Sequence, residues 1–170
     1  VDHVGSYLRP KELVEAREKF SKGELSKEEL TKVEDKLIAE LVEKQIAAGL
    51  KGVTDGEFRR AYWHLDFFWG LNGLEHVQGE KGYAFKGIET KPDTAKVSGK
   101  ISGENHPFVE HFKYLRDITK DKDVVVKLTI PSPSQLYFEL IRTEDHIKSY
   151  EQFYSNFDEL KAAIVAAYKQ

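Results

Sequence analysis

The densest group of chemically competent side chains lies between residues 55 and 67 of the 170-residue sequence. Two carboxylates, Asp55 and Glu57, flank a glycine, and they are followed by Arg59, a second arginine, Trp63 and His64. A carboxylate beside an arginine stays ionised and can hold a ligand's ammonium group, while an arginine can hold the ligand's carboxylate. These residues therefore predict a binding site for an amino-acid-like ligand. The alternative is a salt-bridged loop over an aromatic core, which composition alone favours.

Two further segments carry hydroxyl groups where strands are expected to end. In the first, Val4, Gly5 and Ser6 combine a residue that lets the backbone approach a ligand with one that donates from its hydroxyl and its N–H. In the second, the TIPSPS run at residues 129–134 could line a pocket, although a helix N-cap behind a proline is the simpler interpretation. A histidine such as His3 is more often a hydrogen-bonded core residue than a ligand. The remaining histidines outside these segments show no ligand-like spacing: His76, His106, His111 and His146.

The composition excludes several functional classes. With 26 Lys and Arg against 29 Asp and Glu, the net charge is −3, which provides no basic field for nucleic acid or an anionic membrane surface. No apolar stretch is long enough for a membrane span and no leader is visible, so the sequence favours a cytoplasmic protein. The absence of Cys removes disulfides, thiolate nucleophiles and Cys-ligated zinc sites. With no Met and a first residue Val1, the sequence is expected to be an incomplete record of a longer chain.

Helical periodicity predicts five helices. The first follows Pro10, which suits a first helical turn, and the second begins at a capping box formed by Ser26 and Glu29 and ends at Gly49. The expected helices cover residues 11–20, 27–48, 107–119, 134–140 and 150–168. The last of them carries no stop signal before Gln170, so the domain is expected to continue beyond that residue.

Short apolar runs predict strands at residues 50–54 and 124–130, and a strand is also expected to give way to a loop at Gly5 and Ser6. The order strand, helices, strand implies a parallel sheet, and ligands bind parallel sheets at the C-terminal ends of their strands. Ser6 and Glu57 would then stand at two such ends. Between residues 79 and 103, apolar alternations at 83–85 and 97–101 predict a β-hairpin excursion.

Three segments in a fixed order carry a recognisable pattern. They are DHVGS with LRP at residues 2–6 and 8–10, VTDGEFRR with WH and DF at residues 53–60, 63–64 and 66–67, and TIPSP at residues 129–133. Together they resemble the short, single-barrel relatives of cobalamin-independent methionine synthase. The resemblance spans nearly the whole chain, and its middle motif is long and specific. It implies an α/β chain forming part of a (β/α)8 TIM-type barrel, with the β-hairpin excursion around residues 80–103.

The resemblance also implies a reaction and a set of binding residues. The reaction is methyl transfer to the thiol of homocysteine from a 5-methyltetrahydrofolate-type donor, as in a 5-methyltetrahydropteroyltriglutamate–homocysteine S-methyltransferase. Glu57 would receive the ammonium group of homocysteine, and Ser6, with Val4 and Gly5 beside it, would bind the carboxylate. The residues that would shape the pocket are Asp55, Arg59, Trp63 and His64.

Family members need zinc, because a metal-bound thiol loses its proton and becomes the nucleophile. The zinc ligands that the resemblance implies are a His, two Cys and a Glu from the later part of the barrel, and a chain without Cys does not supply them. Residues 1–170 are therefore expected to be the N-terminal part of one barrel domain whose remainder is absent. Such a chain would carry no catalytic or metal residue and would be inactive alone.

Exposed strand edges and an uncovered inner face predict self-association, or association with a missing remainder of the chain. Two other functions stay open from the residues. One is a non-catalytic binding remnant, and the other is a related thiol alkyltransferase with a different acceptor or donor.

Overall fold

The computed structural model describes residues 3–79, 84–85, 88–89 and 92–170. The chain divides into two compact units, and each is formed from two separate stretches of sequence. The first unit combines the chain up to Trp63 with Val109–Thr129, and the second combines His64–Phe108 with Ile130–Gln170. Both units mix helices with short strands, so the expected α/β class is confirmed at this level.

Helices dominate the first unit. α1 (Lys11–Ser21) begins after Pro10, and α2 (Lys27–Ala47) begins at Ser26. The Ser26 hydroxyl accepts from the Glu29 amide at 3.2 Å and the Glu29 carboxylate accepts from the Ser26 amide at 2.8 Å, which confirms the predicted capping box. All but the first two residues of a further helix, numbered α4 in chain order (Pro107–Thr119), also belong to this unit.

The strands of the first unit are two residues long each. β1 (Gly52–Val53) pairs in parallel with the strand numbered β6 (Val125–Val126), with Gly52 opposite Val125. A parallel pair is therefore present as expected, but among the described residues it joins β1 to β6 and not to a strand before Gly5. The strands expected at residues 50–54 and 124–130 are also shorter than predicted. Val125 is 71% exposed, and among the described residues β6 has no strand on its other side, so little extends the ladder.

The core of the first unit lies around β1 and the facing helices. Its buried side chains are Leu13, Leu37, Ile38, Leu41, Val42, Val53, Phe58 and Leu115. The strand expected before Gly5 is not formed by residues 3 and 4, which lie in irregular backbone with Val4 76% exposed. Residues 1 and 2 lie outside the described part of the chain.

The second unit contains one long antiparallel pair. α3 (Leu65–Gly70) leads into β2 (Asn72–Gln78), which pairs with β5 (Asp93–Ser102). Between them, β3 (Ala84–Phe85) pairs with β4 (Ile88–Glu89).

The prediction of antiparallel β-structure in this region is confirmed, but the predicted pairs of strands are wrong. The excursion begins before residue 79, and β5 is paired with β2 rather than with the alternation at 83–85. Tyr83 lies outside the described residues. The pairing follows burial, because Leu74 lies opposite Val97 and both side chains are buried. Neither α3 nor β2 is among the predicted elements.

Three helices complete the second unit: α5 (Pro133–Leu140), α6 (Glu144–Glu151) and α7 (Phe157–Lys169). The single helix predicted over residues 150–168 is wrong. The Asn156 side chain accepts hydrogen bonds from the amides of Asp158 and Glu159, so a new helix begins there instead of continuing from α6. α5 agrees with the prediction.

Candidate functional site

The turn that follows β1 is fixed by hydrogen bonds from side chains. The Gln45 amide of α2 donates to the Thr54 carbonyl at 2.8 Å, and its oxygen accepts from the Thr54 N–H at 3.0 Å. Farther along, Thr54 Oγ1 accepts from the Gly56 amide and Asp55 Oδ1 accepts from the Glu57 amide. These bonds replace the ladder that a longer strand would have supplied.

Two consecutive residues of this turn have left-handed backbone. Gly56 has φ 67°, and a Cβ at this position would lie 2.3 Å from Cδ2 of Leu41. Glu57 has φ 58°, which a side-chain-bearing residue adopts rarely and at some cost in energy. The turn places the Glu57 carboxylate where helical or extended backbone would not.

The Glu57 carboxylate is 3% exposed and both of its oxygens accept hydrogen bonds from hydroxyl groups. Ser6 donates to Oε2 at 2.6 Å, and Thr129 donates to Oε1 at 2.9 Å. The Arg60 guanidinium, 1% exposed, lies 3.6 Å from Oε1. Two hydroxyl donors and one guanidinium charge therefore surround this carboxylate.

The segment before α1 is tied to the Glu57 turn along its backbone. The Tyr7 amide donates to the Gly56 carbonyl at 3.2 Å, and Arg9 donates to the carbonyls of Glu57 and Arg60. Ser6 itself is exposed. The predicted residues Ser6 and Glu57 are thus brought together.

The other residues predicted in the first segment, Val4 and Gly5, precede Ser6 in irregular backbone. Gly5 has φ 91° with open space around its Cα, and the side chain of Val4 is exposed. His3 Nε2 lies 3.0 Å from the Gly5 carbonyl oxygen, and the His3 ring stacks on Tyr7. His3 therefore has the hydrogen-bonded role expected of a structural histidine.

Asp55 is a buried carboxyl beneath the turn. It is 3% exposed, and burial raises its pKa, against the opposing effect of its hydrogen bond from the Glu57 amide. Its Oδ2 atom has no hydrogen-bond partner among the described residues. Asp55 therefore fixes the conformation of the turn through Oδ1.

Arg59 is directed to α2 rather than to Glu57. Its guanidinium pairs with Glu34 at 3.3 Å and with Asp35, and it lies over the ring of Tyr114. The salt-bridged alternative foreseen for this segment therefore describes Arg59 well.

Trp63 and His64 stand on either side of the division between the units. Trp63, 46% exposed, accepts from Arg60 through its carbonyl at 3.2 Å. His64, in the second unit, is 8% exposed, and burial lowers its pKa. The structure thus joins Glu57 with Ser6 and places Arg59 elsewhere.

Two residues that contact Glu57 are given no specific role by the sequence patterns. In the sequence, Thr129 is one of several hydroxyl residues near a predicted strand end, and Arg60 is the second of two adjacent arginines. Thr129 is separated from Glu57 by 72 residues, so no local pattern connects them. The rest of the TIPSPS run follows the simpler interpretation, since Ser132 Oγ caps α5 by accepting from the Gln135 amide.

A second buried polar cluster lies in the second unit. Thr94 Oγ1 donates to Glu139 and lies 2.9 Å from Nε2 of His146, whose Nδ1 lies 2.7 Å from Oγ1 of Thr143. Because the Thr94 hydrogen points to Glu139, His146 Nε2 donates to Thr94 and Nδ1 accepts from Thr143. Burial lowers the pKa of His146, which agrees with a neutral ring.

The residues of this chain do not fit a zinc centre. The sequence contains no Cys, and in the described ranges no group of three or more His, Asp or Glu side chains is placed to hold a metal ion. In the same part of the chain, every helix is too short or too polar to cross a bilayer.

A parallel strand pair followed at its C-terminal end by a turn with a buried carboxylate is an arrangement found in α/β enzymes, which bind ligands at that end of the sheet. The catalytic-domain model of the cobalamin-independent synthase family matches residues 2–151. The chain belongs to this family, which confirms the resemblance drawn from the three motifs.

Two curated relatives come from Bacillus subtilis (strain 168). The uncharacterized protein YxjH is 44% identical over 137 residues, which are 81% of this chain and 36% of the relative. The uncharacterized protein YxjG is 40% identical over 155 residues, which are 91% of this chain and 40% of the relative. The chain thus spans about two fifths of the length of these relatives.

Two solved structures have a similar fold. A Listeria monocytogenes protein with the provisional description of vitamin B12-independent methionine synthase is 39% identical, with a TM-score of 0.68 over 99% of this chain and 48% of that one. A B12-independent methionine synthase from Shewanella sp. W3-18-1, solved in complex with selenomethionine, has a TM-score of 0.53 and 23% identity, over 82% of this chain and 41% of that one. The second likeness shows the fold alone.

Proposed function

We propose that this chain carries the amino-acid-binding part of a methionine synthase-like domain that transfers a methyl group to the thiol of homocysteine. Glu57 receives the ammonium group of homocysteine and Ser6 binds its carboxylate, while a 5-methyltetrahydrofolate-type molecule is the methyl donor. The observation that carries the proposal is the buried Glu57 carboxylate, whose Oε2 meets the hydroxyl of an exposed residue at 2.6 Å.

The charges of the site suit this ligand. A buried carboxylate is a strong acceptor for a compact cation, and the ammonium of an amino acid provides up to three donors. The adjacent Ser6 hydroxyl and the backbone opened by Gly5 can meet the carboxylate of the same ligand.

The proposal includes a partial (β/α)8 barrel as the fold of this chain. What supports this part of the proposal is the parallel pairing of β1 with β6, together with the similarity to the Listeria structure over nearly all of this chain. The proposal gives this chain substrate binding alone. Zinc, expected for full-length members, has no matching donor set here, so no chemical step is derived through it.

Isothermal titration calorimetry of the chain with L-homocysteine tests the proposal. We expect binding that Glu57→Ala weakens at least tenfold, because the ligand loses a charge-assisted hydrogen bond worth about 1.5–3 kcal/mol. Glu15→Ala is the matched control, because Glu15 makes an exposed pair with Lys11 on α1 and its loss should leave affinity unchanged.

The outcomes separate the alternatives. Equal affinity in wild type and Glu57→Ala, or no heat of binding in the wild type, overturns the proposal. Binding of homocysteine without methionine formation, even after a methyl donor and zinc are added, agrees with the proposal. Methionine formation by this chain alone contradicts the assignment of substrate binding without catalysis.

A further inference from the structure

The two oxygens of the Glu57 carboxylate stand in different surroundings. Oε1 meets Thr129 Oγ1 at 2.9 Å and Arg60 Nη1 at 3.6 Å; Thr129 is partly buried and Arg60 is buried. Oε2 meets Ser6 Oγ at 2.6 Å, and Ser6 is exposed. One oxygen is therefore held by the fold and the other is covered by a replaceable hydroxyl.

Thr129 and Arg60 hold each other as well as Glu57. Arg60 Nη2 donates to the Thr129 carbonyl at 2.7 Å, and Arg60 Nη1 donates to the Trp63 carbonyl at 3.2 Å. The guanidinium is planar and 1% exposed, so these bonds restrict its position. Movement of Oε1 would disturb a network that links the Glu57 turn to the segment after β6.

A cation that approaches Glu57 experiences a different electrostatic potential at each of the two carboxylate oxygens. At Oε1 it would lie close to the Arg60 guanidinium and be repelled, whereas at Oε2 the nearest donor is a neutral hydroxyl. Ser6 can give up its hydrogen bond by rotation about one side-chain torsion, because a hydroxyl is both donor and acceptor.

We infer that Thr129 and Arg60 are positioning residues that fix Oε1 of Glu57, and that the Ser6 hydroxyl occupies the place of the ligand's ammonium at Oε2 until the ligand arrives. On binding, the ammonium takes Oε2 and the Ser6 hydroxyl turns to the ligand's carboxylate. This inference rests on the proposed function and adds to it two positioning residues and an exchange of hydrogen bonds.

The positioning role is tested without any ligand by carbon-13 NMR of the Glu57 carboxyl carbon at neutral pH, assigned with Glu57→Gln. Thr129→Val should move this carbon resonance away from its wild-type position, because Oε1 loses a hydroxyl donor. Thr129→Ser should restore the wild-type resonance. Thr31→Val is the matched control, since the Thr31 hydroxyl donates to a backbone carbonyl within α2. An unchanged resonance in Thr129→Val overturns the positioning role.

The exchange is tested by Ser6→Ala with two ligands that differ in one group. L-homocysteine carries ammonium and carboxylate, whereas 3-amino-1-propanethiol lacks the carboxylate. Ser6→Ala should weaken homocysteine about tenfold, since its carboxylate loses a hydrogen bond, and should leave the aminothiol as tight or tighter, since Oε2 is no longer covered. Equal weakening of both ligands overturns the exchange.

The failures of the two proposals are distinguishable. If wild type binds neither ligand, the proposed function fails, while the carbon-13 resonance of Glu57 still decides the role of Thr129. If homocysteine binds and Glu57→Ala abolishes binding, but Thr129→Val changes neither the resonance nor the affinity, the positioning role fails alone. Arg60→Lys should lower affinity less than Arg60→Ala, because a lysine keeps the charge and loses the planar pair of bonds.

Discussion

Each unit contains a threonine hydroxyl that donates to a buried carboxylate, but the surroundings of the two pairs differ. In the first unit Thr129 donates to Glu57, whose other oxygen meets the exposed Ser6. In the second unit Thr94 donates to Glu139 and contacts His146, and these three side chains are 0%, 6% and 3% exposed.

The difference separates the arrangement that we propose to bind a ligand from a structural one. A hydrogen bond to an exposed hydroxyl can be exchanged for one to a ligand at little cost, because water can satisfy the displaced group. A bond among fully buried groups has no such substitute, and its loss leaves donors and acceptors unpaired in a medium of low dielectric. The same residue types therefore predict binding at Glu57 and stability at Glu139.

The largest expected loss of stability is at Gly73 of β2, the strand that pairs with β5, which carries Thr94. Gly73 has φ 76°, and a Cβ there would lie 2.4 Å from the Lys100 carbonyl oxygen, which is held in β5. Gly73→Ala should cost about 3 kcal/mol or more in the free energy of unfolding, measured with urea.

Substitutions at two other glycines with positive φ separate the cost of the backbone conformation from the cost of the steric clash. Gly56→Ala, whose Cβ meets a movable Leu41 methyl, should cost about 2 kcal/mol. Gly23→Ala, at φ 73° with nothing within 4 Å, gives the backbone cost alone, about 1–2 kcal/mol. Equal losses at Gly73 and Gly23 would show that the close approach to β5 is unimportant.

The next effect compares the two threonines directly. Thr94→Val should lower the free energy of unfolding by about 2–3 kcal/mol, because His146 and Glu139 each lose a buried partner. Thr129→Val should cost about 1 kcal/mol or less, because Glu57 keeps Ser6 and Arg60. Urea unfolding of both variants measures the difference, and a larger loss in Thr129→Val would contradict the contrast.

The smallest effect is in the response of the two units to acid. Burial lowers the pKa of His64, His106 and His146, all in the second unit. A lowered histidine pKa stabilises the fold above the unfolded value of about 6.5, and that stability is lost as the pH falls through the folded pKa. Acidification from pH 7.5 to 5 should therefore weaken the second unit.

The first unit should respond in the opposite sense. Burial raises the pKa of Asp55 and Glu34, so their contribution is present below the unfolded values of about 4 and is lost as the pH rises through the folded pKa. Amide hydrogen exchange, corrected for intrinsic rates, should show loss of protection in α7 and β5 on acidification and none in α2. His106→Gln should reduce the loss, and equal loss in all three elements would contradict the assignment.

Local signals allowed much of the fold to be predicted. The α1 and α2 boundaries follow from Pro10 and the Ser26 capping box, since these act within one helical turn. The split between α6 and α7 depends on the Asn156 cap, which the apolar pattern across residues 150–168 conceals. The β2–β5 register depends on burial of Leu74 against Val97, a long-range contact that periodicity does not encode.

The sequence predicts the kind of candidate site, a carboxylate turn after a strand, better than it predicts which side chains contact Glu57. The spacing of Asp55, Gly56 and Glu57 after a short strand indicates a ligand-binding turn, and the motif resemblance adds Ser6. The direction of Arg59 toward Glu34 depends on where α2 lies, so the sequence does not distinguish it from Arg60. Thr129 reaches Glu57 through the parallel pairing of β1 with β6, which is a tertiary event.

The division of each unit into two stretches of chain sets an order for folding. During synthesis Ser6, Glu57 and α2 emerge first, but Thr129 follows Glu57 by 72 residues, and the whole of β2–β5 is made in between. Closing so long a loop is entropically slow compared with forming the helices. The nascent first unit therefore has its acidic turn and Arg60 before it has the Thr129 hydroxyl that donates to Oε1, and the turn completes its hydrogen bonding late.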